Sequence, residues 1–188
     1  MQRRTLSLLA ALMATLPLAS HAGTMDYSFA ELGYVDTEED DFDVDGDGFA
    51  LRGSVGFLEN FFAFASYEDI GYDFGVDATL LKVGVGGHWP LNEKIDLVGR
   101  AGIVKGEIEV GNRDFDDDGF LLGARLRSEI MPKFELEVGF DYTDLDDAGD
   151  DTTGVLEGRY FFMEQLTGGL LVEFGDATTI GLNVRVTF

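Results

Sequence analysis

Between Asp26 and Phe188 the chain alternates apolar with small or polar residues. Phe49, Leu51, Val55 and Phe57 fall on one face of an extended segment, and Ala50, Arg52, Ser54 and Gly56 on the other. Leu81, Val83, Val85 and Trp89 oppose Lys82, Gly84, Gly86 and His88 in the same way. So do Phe134, Leu136, Val138, Phe140 and Tyr142 against Glu135, Glu137, Gly139, Asp141 and Thr143. A period of two belongs to half-buried β-strands, whose successive side chains leave opposite faces. The pattern predicts ten strands, at 26–36, 48–57, 61–70, 78–89, 94–110, 118–130, 134–145, 154–163, 167–174 and 177–188. Segments 61–70 and 167–174 alternate least clearly, and an eight-strand count is the alternative.

The connections alternate in kind. Leu58-Glu59-Asn60 and residues 90–93, 131–133 and 164–166 are short turns. Longer Asp-rich loops are expected around 36–47, 69–77, 111–117 and 146–153. Each strand then runs antiparallel to the next. Such a chain closes either as a lipocalin-like barrel, apolar face inward, or as a membrane barrel, apolar face towards lipid. Aromatics at both strand ends decide for the membrane. Tyr34, Phe49, Tyr67, Phe120, Tyr142 and Phe174 lie near the long loops; Phe57, Phe61, Trp89, Phe134, Phe162 and Phe188 lie near the short turns. These are two interfacial girdles. The expected fold is an all-β, antiparallel up-and-down transmembrane β-barrel.

The segment before the first strand adds the compartment. Arg3 and Arg4 precede an apolar run from Leu6 to Leu18, and Ser20-His21-Ala22 offers small residues for cleavage. This is the layout of a secretory signal peptide, expected at residues 1–22 and cleaved to leave the barrel at 23–188. No later segment approaches 18 consecutive apolar residues, so no transmembrane helix is expected. The chain has no cysteine, which excludes disulfides and thiolate metal sites. Without Arg3 and Arg4, 11 basic residues face 36 acidic ones. Such a charge repels nucleic acid and attracts cations or an extracellular basic partner.

These features, and the C-terminal GLNVRVTF most specifically, resemble the small outer-membrane β-barrel proteins of Gram-negative bacteria, of the OmpA/OmpX porin-like kind. The resemblance covers Asp26 to Phe188. It implies residence in the bacterial outer membrane, in contact with its lipid. It also implies that periplasmic chaperones and the barrel-assembly machinery handle the chain, with Thr179, Gly181, Val184, Val186 and Phe188 as the assembly signal. No single activity is implied, because such barrels include adhesins, envelope proteins, narrow pores and a few enzymes.

Alternation turns Arg52, Lys82, Arg100, Arg125, Arg127, Arg159 and Arg185 away from lipid, together with Glu31, Glu68, Asp96, Glu135, Glu137, Asp141, Glu157 and Glu173. A lipid-facing Arg or Lys at mid-membrane costs about 2–4 kcal/mol, so the inward assignment is the sensible one. The set can fill the lumen as a salt-bridged core or line a narrow ion path. Enzymes among the resembling barrels use His with Asp or Ser near the outer rim. Here the single mature histidine, His88, belongs to the opposite end. No catalytic residue is expected.

DVDGDG at 43–48 begins like the calcium loop of an EF-hand. The closing glutamate is missing, since the twelfth position from Asp43 is Ser54, and a strand follows instead of a helix. What remains is a carboxylate series, Asp41, Asp43, Asp45 and Asp47, expected in a surface loop. Flexible oxygen ligands of this kind suit weak calcium or magnesium binding, with no other cofactor. The expected function is therefore an outer-membrane barrel with acidic extracellular loops and a structural or surface-interaction role. A narrow, cation-preferring pore is the alternative.

Overall fold

A computed structural model describes residues 25–39, 44–111 and 113–188. The expected signal peptide lies outside the described residues. The strands are β1 (Phe29–Glu39), β2 (Val44–Phe57), β3 (Phe61–Tyr72), β4 (Val76–Asn92) and β5 (Ile95–Val110). They continue as β6 (Arg113–Met131), β7 (Phe134–Leu145), β8 (Gly149–Met163), β9 (Leu166–Phe174) and β10 (Ala177–Thr187). Each pairs antiparallel with its sequence neighbours, and β1 also pairs with β10 from Phe29↔Thr187 to Glu39↔Ala177. The sheet is a closed barrel of ten strands, not eight. Closure leaves no unpaired edge, which a hydrocarbon environment requires.

Side chains alternate around the wall. Leu32, Ile103, Leu122, Leu170, Leu182 and Val184 point outward and are at least half exposed in the isolated chain. Their inward neighbours Glu31, Leu121, Leu171 and Arg185 are at most 4% exposed. The outer wall is thus the apolar one, and the interior mixes charge with a few aliphatic side chains. Aromatic pairs mark both ends of the apolar belt. Phe49–Tyr67 and Phe120–Tyr142 lie 6.0 Å apart on the side of the long hairpins, and Phe57–Phe61 lie 6.3 Å apart at a short turn.

The strands differ from the sequence reading at two places. The Asp-rich segments read as loops are largely strand. β1 and β2 stay paired up to Glu39↔Val44, β5 and β6 up to Val110↔Arg113, and β7 and β8 up to Leu145↔Gly149. Acidic residues disfavour strands locally, yet a ladder already in register needs only one more backbone pair per step. About 9–11 residues span the bilayer, so the 19 residues of β6 carry its hairpin well beyond it. Gly119 permits the close approach of β6 and β7, because a Cβ there would meet the Asp144 carbonyl oxygen at 2.0 Å. The second difference is at the start. β1 begins at Phe29 instead of residue 26, and the segment before it turns inward.

Candidate functional site

The interior charges form one connected lattice. Glu137 and Glu157 sit directly opposite each other on β7 and β8. Two carboxylates so placed repel, and Arg159 bridges them, 2.9 Å from Glu137 and in contact with both Glu157 and Glu135. Arg125 and Arg127 lie across the β6–β7 hairpin from this group. The register sets Arg127 against Glu137 and Arg125 against Gly139, so their ion pairs run diagonally. Arg127 reaches Glu135 at 2.8 Å, and Arg125 reaches Glu137 at 2.9 Å and Asp141 at 2.5 Å. Arg100 on β5 also contacts Asp141.

The other wall continues the chain of charges. Arg185 lies 2.6 Å from Glu31 and 3.8 Å from Glu157. Arg52 joins Glu31 at 3.4 Å to Glu68 at 3.1 Å. Asn183 donates to Glu157 at 2.9 Å. Three of the guanidiniums also lie against aromatic faces: Arg185 over Phe29, Arg127 over Tyr27 and Arg100 over Phe64, at 3.8, 4.7 and 5.2 Å. Lys82 and Glu173 line the same interior, with no ion pair inside 4.0 Å among the described residues, and the free space among these groups is a cavity of about 90 Å³. Two departures from the alternation-based list stand out. Asn183 and the inward aromatics Phe29, Phe62 and Phe64 also belong to the lattice; they share the parity of Arg185, Glu31 and Glu68, but a list built on charge passes over them.

The end with the short turns is closed by the segment before β1. Tyr27 is 8% exposed, with its ring stacked 4.1 Å from His88 and 5.1 Å from Phe62. Its hydroxyl donates to Asp96 at 2.8 Å, and Arg127 donates to the Asp26 carbonyl at 2.8 Å. His88 lies 3.5 Å from the same Asp96 carboxylate. Tyr27, Phe62 and Val98 form an apolar cluster with Met25 and Phe64 against it. His88 therefore sits inside a packed stopper. The period of two placed residues 26–28 in the first strand, with Tyr27 on its inward parity, and did not mark them as a plug.

At the other end, Asp45 and Asp47 lie on β2 with outward, exposed side chains, and Tyr34 donates to Asp47 at 3.1 Å. Asp41 and Asp43 lie outside the described residues. Carboxylates two residues apart on one strand face are about 7 Å apart, too far to share a cation without help from another strand. Among the described residues, no group of three or more His, Cys, Asp or Glu side chains is gathered as a metal site. Asp117 has a different role. Its carboxylate accepts from the Ala148 amide at 2.9 Å and from the Asp147 amide at 3.2 Å, tying the β7–β8 turn to β6.

The family model of the outer membrane protein beta-barrel domain matches residues 5–188, almost the whole chain. The chain belongs to that family. It is accordingly a protein of the bacterial outer membrane. An outer membrane channel from Pseudomonas putida F1 has a similar fold, at 11% identity and TM-score 0.54, covering 93% of this chain and 100% of that one. Weaker likenesses are to Ail of Yersinia pestis and to the N-terminal β-barrel domain of Pseudomonas aeruginosa OprF. Ail is 19% identical at TM-score 0.43, covering 86% of this chain and 99% of that one. OprF is 13% identical at TM-score 0.47, covering 87% and 100%. No curated protein sequence matches this one.

In this family the short turns face the periplasm and the long connections the cell exterior. The Tyr27 stopper lies at the end of the short turns, and the tall acidic hairpins lie at the opposite end. The closing strand is β10. Val184 and Val186 are outward, Thr179 is inward at 2.7 Å from Thr37, and Gly181 leaves room for Val35 and Leu171. Phe188 follows the strand, and its amide donates to the Ser28 carbonyl at 3.0 Å across the seam.

Proposed function

We propose that this outer-membrane barrel is a lipid-embedded scaffold with a blocked lumen, which presents an acidic outer surface for structural or binding contacts. The observation behind this reading is the lattice around Arg159, backed at the periplasmic mouth by Tyr27. Conducting ions would need a continuous wet path, and the interior charges instead neutralise one another at contact distance. A charge dragged past them would first have to break pairs worth several kcal/mol each when desolvated. The carboxylates of the acidic hairpins would bind calcium or magnesium weakly and would attract basic partners. During biogenesis, periplasmic chaperones and the barrel-assembly machinery would read the β10 terminus.

A narrow, cation-preferring pore is the second reading, and Lys82 and Glu173 favour it. Both line the interior with no ion pair among the described residues, and so leave a polar strip beside the small cavity. Planar-bilayer recording separates the two. The blocked scaffold gives no stable unitary steps for the purified, refolded protein. Reproducible steps with cation selectivity would establish the pore instead.

A further inference from the structure

Beyond the aromatic pair Phe120–Tyr142, at the end opposite the Tyr27 stopper, the wall inverts its polarity. Within the lipid belt the outer face is apolar and the inner face charged. On the projecting parts of β3 to β6 the inner face is apolar and the outer face acidic. The register lays out the inner row: Ile70 stands opposite Ala78, Ala78 opposite Ile108, and Ile108 opposite Phe115. The next row sets Tyr72 against Val76 and Val76 against Val110, and ends on Arg113 at the hairpin tip. At the same heights Asp77, Glu107, Glu109, Asp114 and Asp116 hold outward positions. Acid outside and apolar inside is the pattern of a soluble barrel. The interior of such a barrel is filled either by its own side chains or by one small ligand.

Here the protein does not fill it. Ile108 and Phe115 remain 47% and 55% exposed. With Ile70, Tyr72, Leu80 and Leu145 they border a cavity of about 720 Å³. Small-molecule pockets span about 300–1,000 Å³. Two carboxylates of inward parity border the hollow, and both are engaged. Glu68 pairs with Arg52 at 3.1 Å, and Asp117 accepts from the Ala148 amide at 2.9 Å. Glu68 also lines the small cavity of the lattice, so its pair with Arg52 is the floor between the two spaces. What the hollow leaves bare is therefore mostly hydrocarbon. We propose that it binds a neutral, largely hydrocarbon molecule, which covers the apolar rows of the hairpins. A charged group inside would lose its hydration and meet no uncommitted charge on the inward positions of the lining. The acidic outer faces add a field that turns anions away. The hollow lies above the Arg52–Glu68 pair, so it fills whether or not the lumen conducts.

Equilibrium dialysis with matched pyrenes tests this: pyrene itself, the cation 1-pyrenemethylammonium and the anion 1-pyrenecarboxylate. The barrel is held in zwitterionic nanodiscs, and discs carrying the Ala78→Phe variant give the background. That substitution fills the middle of the apolar row without touching the lattice, so its folded band in unheated electrophoresis should match the parent. If the band is lost, empty discs give the background and Phe115→Ala carries the test. Saturable excess uptake of pyrene at about one per barrel is expected, with none for either ion. Phe115→Ala, at the exposed rim, should weaken it about fivefold, and Glu107→Gln should leave it unchanged. No saturable excess of pyrene overturns the proposal, because uptake is then plain partitioning into lipid. Binding of either ion as tight as that of pyrene overturns it too. So does a loss of affinity in Glu107→Gln, since charge would then select the ligand. No current is read in this experiment, so the blocked-lumen reading stands or falls separately.

Discussion

Arg159 is the residue on which the interior charge balance turns, because it touches Glu135, Glu137 and Glu157 at once. Removing it leaves Glu137 and Glu157 directly opposed, the first held by Arg125 and the second only by Asn183 and the more distant Arg185. Arg125 is less exposed to such loss, since Glu137 keeps Arg159 and Asp141 keeps Arg100. Breaking a buried ion pair from one side costs about 3–5 kcal/mol. Arg159→Ala should therefore lower the urea unfolding free energy by about that amount, clearly more than Arg125→Ala. Lys133→Ala, on an exposed turn, should change it little. Equal small effects for the two arginines would mean that water screens the lattice. A neighbouring glycine tests the same packing by addition of atoms. A Cβ on Gly123 would lie 2.2 Å from the Asp141 Oδ1 and 3.2 Å from the Arg100 Nε. Gly123→Ala must push that carboxylate away from Arg100 and Arg125, an overpacking that costs about 1–3 kcal/mol in urea titration. A neutral result would show that Asp141 has a second comfortable position.

At the scale of elements, the stopper before β1 is separable from the lattice above it. Tyr27 contributes ring stacking with His88 and Phe62 and a hydrogen bond to Asp96. Truncating a buried aromatic costs about 3–5 kcal/mol. Tyr27→Ala should thus destabilise the barrel visibly and still give no unitary conductance, because the Arg159 lattice continues to block the lumen. Current steps in that variant would make Tyr27 the gate and the lattice permeable. The stopper also shows where the sequence stopped being readable. Ten strands were legible because lipid on one side and packed charge on the other impose a strict period of two. The same parity turned Arg52, Glu135 and Arg185 inward. Residues 26–28 keep the period of two, with Tyr27 on the parity of Phe29 and Glu31, so they read as the start of a strand, and alternation does not tell a plug from a strand end. Strand ends were misread for the opposite reason: Asp36, Asp45 and Asp47 look like loop chemistry, and only pairing between β1 and β2 makes them strand. Which carboxylate each arginine takes depends on diagonal reach across a hairpin, and a one-dimensional pattern does not carry that.

For the molecule as a whole, the chain carries a net charge of −23, and the interior lattice does not account for it. Seven basic side chains meet eight acidic ones inside, so the interior is close to neutral. On the outward faces of the hairpins the register sets acids against acids. Asp36 lies opposite Asp47, Glu38 opposite Asp45, Glu107 opposite Asp116, Glu109 opposite Asp114 and Asp144 opposite Asp150. Like charges directly across a ladder destabilise it, and salt screens them once the Debye length falls to about 8 Å at 0.15 M ionic strength. The barrel's urea midpoint should therefore rise with sodium chloride. Cross-strand pairs also offer what one strand face lacks, two carboxylates on adjacent strands with Cβ atoms about 4.5–5.5 Å apart, close enough to share a cation. Calcium at about 0.1–1 mM, the range of extracellular sites, should then raise the midpoint further than sodium chloride of equal ionic strength. Asp45→Asn with Asp47→Asn should raise the midpoint at low salt, by removing repulsion, and shrink the calcium increment. A calcium effect no larger than that of matched sodium chloride would leave the acidic wall as screened charge with no shared cation.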